Sequence, residues 1–185
     1  MLAPAFALWG SPVTWLEIAA FVLALLMVWA NLRVNPVGWP LAILSSLMYA
    51  LLFADSRLYG EAILQFVFVA LAGWGWWQWL RGTTDAGAPL RVHRLSTRSR
   101  AVALAITLAA WPTLALALGQ TTDSDVPWFD ALPTAGSLTG QVLLARKVVE
   151  NWPVWLAVNL VSVALFALLS LVGWRAWRRL EHAGG

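Results

Sequence analysis

Polar and aromatic side chains inside long apolar stretches are the groups in this sequence that could bind a ligand. An unpartnered amide or hydroxyl is costly in an apolar span, so such a group should line a cavity or bond a neighbouring helix. Indole and phenol faces can hold a ring, and amides can bond hydroxyl groups. The candidate substrate-binding residues are Tyr49, Gln65, Trp74, Gln141, Trp152, Trp155 and Asn159.

Asn159 is the strongest single candidate for direct contact with a substrate. It lies seven residues after Trp152, which places it roughly 10 Å into a span at about 1.5 Å per residue. The alternative is that its amide bonds a backbone carbonyl of a neighbouring helix. The residues alone leave both interpretations open. For Trp74 and Trp77, packing inside the bundle is the preferred interpretation.

Several other residues favour structural roles. Ser45 and Ser46 can bond back to their own helix, and Glu17 is expected to pair with a neighbouring helix. Gly136 and Gly140 form a Gly-x-x-x-Gly step that permits close packing of helices. Most of the 14 tryptophans should anchor span ends in the headgroup region, among them Trp9, Trp15, Trp79, Trp128 and Trp177.

The sequence offers no convergent set of nucleophile, base or metal ligands, which an enzyme would need. His93 lies in a basic loop, His182 lies in the C-terminal tail, and cysteine is absent. Neither a His-Glu-x-x-His motif nor a phosphate-binding Gly-Lys motif is present. We therefore expect no catalytic residues, no metal, no cofactor and no enzymatic activity.

The elements that position the candidate residues are apolar segments of membrane-spanning length. The 185 residues are 61% hydrophobic and 11% charged, with a mean hydropathy of +0.72, whereas about a quarter of a soluble domain is charged. This composition predicts an all-α membrane protein, a multi-span helical bundle without a soluble domain. Six spans are expected, of which the fifth is short and the most polar: 13–32, 37–54, 58–80, 101–119, 131–145 and 152–172.

Charges in the connecting loops predict the orientation. The segment 81–100 holds five arginines and one acidic residue, so it should face the cytoplasm. The segment 120–130 holds three aspartates and no basic residue, so it should lie outside. The net charge of +3 is explained by this asymmetry rather than by nucleic-acid binding. The N-terminus is then outside, and the first span lacks the basic region of a cleaved signal.

An internal repeat is marked by tryptophan. A Trp-Pro pair at 39–40 is followed by a Gly-Trp pair at 73–74, and both pairs recur at 152–153 and 173–174. The two tryptophans are 35 positions apart in the first half and 22 in the second, so the second half is shorter by 13 positions, just after Ala167. One crossing should therefore replace two. A duplicated membrane bundle usually places a small-molecule site between its halves, which points to a transporter.

An ordered set of motif residues extends over nearly the whole chain: Trp39, Pro40, Tyr49, Leu58, Tyr59, Gln65, Gly73, Trp74, Trp77, Asp130, Ala131, Glu150, Asn151, Trp152, Pro153, Trp155 and Asn159. This set resembles the PnuC family of bacterial vitamin-precursor transporters. The resemblance implies a SWEET-like fold of two three-helix bundles joined by a linking helix, assembled as a homotrimer in the inner membrane. It divides the chain into a first bundle (1–80), a cytoplasmic basic loop with the linking helix (81–119), and an external acidic loop with a shortened second bundle (120–185).

The resemblance also implies a substrate. Family members take up nicotinamide riboside by facilitated diffusion, and cytoplasmic phosphorylation traps it for NAD biosynthesis; others carry thiamine or riboflavin, which are the alternative substrates here. Two pairs of residues could bind such a substrate, Trp155 with Asn159 and Tyr49 with Gln65. In each pair the aromatic face suits the charged ring and the amide suits the hydroxylated sugar. A non-transporting binding or scaffold subunit is the alternative of a different class. The family core has seven helices, and of the seventh only 168–177 is expected to remain.

Overall fold

The chain folds almost entirely into helices that follow a short β-hairpin. A computed structural model describes residues 3–8, 11–84, 87–121 and 126–183. Strands β1 (Pro4–Leu8) and β2 (Ser11–Thr14) pair antiparallel. Six helices follow within the described residues: α1 (Trp15–Leu32), α2 (Gly38–Asp55), α3 (Tyr59–Arg81), α4 (Thr97–Thr121), α5 (Pro127–Ala145) and α6 (Asn151–Ala183). The expected helical membrane bundle is confirmed, whereas the hairpin was not predicted.

Five of these helices, α1 to α4 and α6, are long and apolar enough to cross a membrane. In the described part of the chain α5 does not meet that description, in keeping with the polar character expected of the fifth segment. Length and composition therefore yield five spans, one fewer than the sequence predicted. The expected anchor Trp9 and the acidic residues Asp123 and Asp125 lie outside the described residues.

A capping box begins α1. The Glu17 backbone N–H donates to Thr14 Oγ1 at 3.2 Å, and Thr14 N and Oγ1 donate to Glu17 Oε2 at 2.5 and 2.8 Å. These bonds satisfy backbone donors that lack partners in the first helical turn. The prediction that Glu17 pairs with a neighbouring helix is therefore wrong, because its carboxylate serves its own helix. Since residues 11–14 pair with β1, α1 begins at Trp15.

The same turn ends three helices, and in each a non-glycine residue has positive φ. Val34 (φ 53) follows α1, Arg57 (φ 61) follows α2 and Lys147 (φ 56) follows α5. In each turn this residue donates its N–H to the carbonyl three positions back, and the next residue donates to the carbonyl five positions back, at 2.8–3.1 Å. This is the Schellman arrangement, which gives the last helical carbonyls partners.

Two compact units make up the chain. The first comprises residues 1–96 and 141–149, and the second comprises 97–140 and 150–185. In the first unit α1 packs on α2 and α2 packs on α3. Its buried cluster consists of Trp39, Ala72, Trp79, Leu144 and Ala145. The division into 1–80, 81–119 and 120–185 stays a prediction.

Close contacts between helices shape the first unit. Gly75 on α3 lies so near the Trp39 ring on α2 that any Cβ would overlap ring atoms. Ser45 Oγ donates to Ala20 O at 3.0 Å, so this hydroxyl ties α2 to α1. The prediction that Ser45 bonds back to its own helix is wrong for this reason. Ser45 is buried, and a carbonyl of the neighbouring helix lies within its reach.

In the second unit the Gly-x-x-x-Gly step is a packing site, as predicted. A Cβ on Gly136 would come within 2.6 Å of Val158 Cγ2, and one on Gly140 within 3.1 Å of Trp155 Cε2. Small residues on α5 therefore let α6 approach closely. The Thr107 and Thr139 hydroxyls, 2.7 Å apart, join α4 to α5.

The last helix, α6, runs without interruption for 33 residues, about 50 Å at about 1.5 Å per residue. The predicted single helix over 152–172 is confirmed, and the segment 168–177 continues it rather than forming a separate helix. Large apolar side chains near the middle of α6 are exposed in the chain, among them Val163 at 68% and Phe166 at 72%.

Candidate functional site

Four of the seven candidate binding residues lie in the first unit. Tyr49 on α2 is half-buried and stacks on Phe53, with ring centroids 6.1 Å apart. Gln65 on α3 is half-buried, Gln141 on α5 is buried, and Trp74 on α3 is 37% exposed. Within the described residues, none of these four side chains bonds another. They supply one phenol, one indole and two amides, which are the groups expected for binding a ring and its hydroxyls.

The other three candidates lie in the second unit, all on α6. Trp152, Trp155 and Asn159 follow one another at i, i+3 and i+7, which places them on one face of the helix. Trp152 is 39% exposed and Asn159 is exposed, whereas Trp155 is half-buried against Gly140. The contact with Gly140 therefore holds the indole against α5.

The Asn159 side chain is exposed in the chain. In the described part of the chain its side chain has no hydrogen-bond partner, so a bond to a neighbouring helix of the same chain does not account for it. An amide on an apolar span needs a polar partner. Contact of Asn159 with a substrate stays a prediction.

A cluster that the sequence did not predict lies at the ends of α3 and α5 in the first unit. Trp79 is 8% exposed, and its Nε1 donates to Leu144 O at 3.0 Å. Its ring meets Trp39 edge to face, with centroids 5.5 Å apart. Trp79 is thus buried packing rather than the headgroup anchor that was predicted. The bond to Leu144 gives a partner to a carbonyl in the last turn of α5.

Lys147 covers this aromatic pair. Its Nζ lies 5.3 Å from the centroid of the Trp79 ring and donates to Leu90 O at 3.1 Å and to Trp79 O at 3.5 Å. Partial burial lowers the pKa of the Lys147 ammonium from its ordinary value. These partners are neutral: a π face and two carbonyls hold the cation.

Backbone bonds fasten the basic loop to the same turn. His93 N donates to Lys147 O at 3.1 Å, and Val149 N donates to His93 O at 2.9 Å. Within the loop, Leu90 N donates to Gly82 O at 3.0 Å. The loop after α3 and the turn after α5 are therefore one hydrogen-bonded assembly. The turn itself has one signal in the sequence, because Lys147 and Val34 both lie five positions before the tryptophan of a Trp-Pro pair.

An ion pair joins the starts of two helices in the second unit. Arg100 Nη2 lies 2.7 Å from Glu150 Oε1, and Arg100 Nε donates to the same oxygen at 2.9 Å. Because Arg100 is 50% exposed, such a pair typically contributes about 1 kcal/mol or less. Among the described residues, no group of three or more His, Cys, Asp or Glu side chains could hold a metal ion.

Five of the helices are apolar and long enough to cross a membrane. Together with the repeated turns and the helix face that carries indoles and an amide, they define a multi-pass helical membrane protein of the transporter class. The sequence model of the nicotinamide mononucleotide transporter family matches residues 14–172. The chain belongs to this family, to which the PnuC transporters belong, and it is a multi-pass protein of the bacterial inner membrane. The family and its structural neighbours are transporters rather than enzymes.

Three similar proteins have names that describe transport of a vitamin or a related compound. The riboflavin/roseoflavin transporter RibM of Streptomyces davaonensis is 34% identical over 164 residues, covering 87% of this chain and 76% of its own. The nicotinamide riboside transporter PnuC of Escherichia coli is 25% identical over 183 residues, covering 86% and 77%. The crystal structure of the vitamin B3 transporter PnuC matches the fold with a TM-score of 0.68 at 23% identity, covering 83% of this chain and 67% of that one.

Proposed function

We propose that this chain carries a vitamin precursor across the inner membrane by facilitated diffusion, with nicotinamide riboside as the leading substrate. The observation that carries the proposal is the family match over residues 14–172. Riboflavin is the second candidate, because the relative that is 34% identical is named as a riboflavin/roseoflavin transporter. Phosphorylation of the imported substrate in the cytoplasm would keep its free concentration low, so that uptake stays downhill. Assembly of the chain as a homotrimer is part of the same proposal.

The candidate residues suit both substrates. Each ligand joins an aromatic ring to a hydroxylated group, a ribose ring in nicotinamide riboside and an open chain in riboflavin, so indole or phenol faces can hold the ring while amides bond the hydroxyls. Nicotinamide riboside also carries a permanent ring charge, which aromatic faces attract. We assign ring contacts to Tyr49, Trp74, Trp152 and Trp155, and hydroxyl contacts to Gln65, Gln141 and Asn159. The exposed and unbonded amide of Asn159 is the best supported of these assignments.

Ligand protection in detergent tests this function against a scaffold role. A ligand at 100 times its Kd stabilises the folded protein by about 2.7 kcal/mol, so the unfolding temperature should rise with nicotinamide riboside. If only riboflavin raises the unfolding temperature, riboflavin is the substrate. If only thiamine raises it, thiamine is the substrate. Asn159→Leu, with binding weakened about tenfold, should roughly halve the stabilisation at the same ligand concentration, to about 1.4 kcal/mol. Leu160→Ala, at a neighbouring residue that is 62% exposed, should preserve the full shift. If none of the three vitamins shifts the unfolding temperature of the wild type, the chain is a scaffold rather than a transporter.

A further inference from the structure

Lys147 combines two features that rarely occur together. Its backbone has φ 56, a conformation that glycine adopts freely and lysine does not. Its side chain nevertheless reaches Trp79 and the carbonyl of Leu90. Val34 and Arg57 share this backbone conformation, so the contacts of the ammonium, rather than φ alone, distinguish Lys147. Val34, at the equivalent position of the repeat, has φ 53 and is 42% exposed.

The contacts of Lys147 connect two segments of the chain. The residue itself lies in the turn between α5 and α6, and Leu90 lies in the basic loop between α3 and α4. The ammonium bond to Leu90 O and the backbone bonds to His93 join these segments at two points. Within the described residues, the ammonium contacts a ring face and two carbonyl oxygens. A π face and carbonyl dipoles hold a cation less firmly than a buried carboxylate does, so the Lys147 ammonium can leave these contacts and return to them.

We propose that Lys147 is a positioning residue: its ammonium is needed, in addition to the backbone bonds to His93, to hold the basic loop in place, and this arrangement sets the maximal rate of transport. The part that concerns rate rests on the proposed function. The part that concerns the loop does not, because it follows from contacts within the first unit. The opening and closing of loops limits turnover in many enzymes, and we extend this reasoning to the basic loop.

Limited proteolysis of detergent-solubilised full-length protein tests the loop. Trypsin should cut at Arg91 and Arg94 only when the loop opens, so the cleavage rate reports the opening equilibrium. Lys147→Met and Lys147→Gly should raise the rate about tenfold, the range expected for losing a partly buried cation–π contact. Lys147→Arg should restore protection, since guanidinium keeps the charge. Cleavage at the exposed Arg57 turn is the internal reference and should not change.

Glycine variants separate the side chain from the turn. Lys147→Gly removes the backbone strain of positive φ and also removes the ammonium. Val34→Gly removes the same backbone strain from an equivalent turn that carries no ammonium. We expect faster loop cleavage in Lys147→Gly and wild-type cleavage in Val34→Gly. Unchanged cleavage in Lys147→Gly overturns the proposal, and so does a Lys147→Arg protein that is cut as fast as Lys147→Met.

Uptake into proteoliposomes tests the effect on rate. Lys147→Met and Lys147→Gly should lower the maximal rate about threefold or more, with an unchanged half-saturation concentration, and Lys147→Arg should recover it. A rate unaffected by Lys147→Gly, in a protein whose loop is cut faster, overturns the claim about transport. Wild-type protein that takes up none of the three vitamins contradicts the proposed function instead, and the proteolysis then decides the role of Lys147 by itself.

Discussion

Val34 and Lys147 occupy the same position in two copies of one turn. Val34 has φ 53 and Lys147 has φ 56, and each lies five positions before the tryptophan of a Trp-Pro pair. The hydrogen bonds that close the two turns agree in their partners and lengths. The internal repeat therefore extends from the tryptophan pattern to the backbone conformation at the end of α1 and α5.

Val34→Gly should raise the stability of the protein. Positive φ costs a β-branched residue about 1 kcal/mol or more, while glycine accepts it. After the entropy that glycine loses on folding, the net gain should be roughly 0.5 kcal/mol. Thermal unfolding in detergent measures this. The control is Val37→Gly, because Val37 has φ −60 and ψ −22, and there the same change should lower stability by up to about 1 kcal/mol. Equal losses at both positions would refute the claim of strain.

The orientation can be tested by labelling, since the chain has no cysteine. Ser96→Cys, in the segment rich in arginine, should resist an impermeant thiol reagent in intact cells and react after the membrane is opened, because positive loops stay in the cytoplasm. Asp130→Cys, at the end of the acidic segment, should react with the same reagent in intact cells. Labelling of position 96 from outside would reverse the topology.

Gly140→Leu should disturb the candidate binding face through Trp155. A Cβ at Gly140 would lie 3.1 Å from Trp155 Cε2, so a larger side chain must displace the indole, at a typical cost of about 1 to 3 kcal/mol. We expect lower thermal stability and weaker binding of the vitamin. Gly73→Leu is the matched control, because nothing lies within 4 Å of a Cβ at that position. Comparable losses in both variants would mean that the Gly140 contact is unimportant.

The sequence was sufficient for the features that depend on local composition. Apolar length placed all six helices, and tryptophan spacing revealed the repeat. It was insufficient where partners are distant in the chain: Lys147 and Leu90 are 57 positions apart, and no local pattern shows that a loop carbonyl meets an ammonium. Trp79 and Ser45 were misjudged for the same reason, since their partners lie on other helices. Val13 and Thr14, which belong to β2, were assigned to the first span because a short apolar strand and a helix start look alike in composition.

The shortened second repeat remains a proposal with a direct test. The tryptophans of its two motifs are 22 positions apart instead of 35, and both lie on the single helix α6. Inserting about 13 residues after Ala167, following the pattern of residues 54–71, would restore a turn and a helix start comparable to the first repeat. We expect a higher folded yield or faster uptake. Wild-type uptake that is saturable and not exceeded by the insertion variant would show that α6 suffices as it is.

Uptake of labelled nicotinamide riboside by purified protein in proteoliposomes tests the central claim most directly. Wild-type protein should give saturable, protein-dependent uptake that equilibrates without an ion gradient, as facilitated diffusion requires. Asn159→Leu should raise the half-saturation concentration about tenfold, since losing one buried hydroxyl contact typically costs about 1 to 3 kcal/mol, while Leu160→Ala should match the wild type. Uptake of none of nicotinamide riboside, riboflavin and thiamine above protein-free liposomes would contradict the assignment of vitamin-precursor transport to this chain.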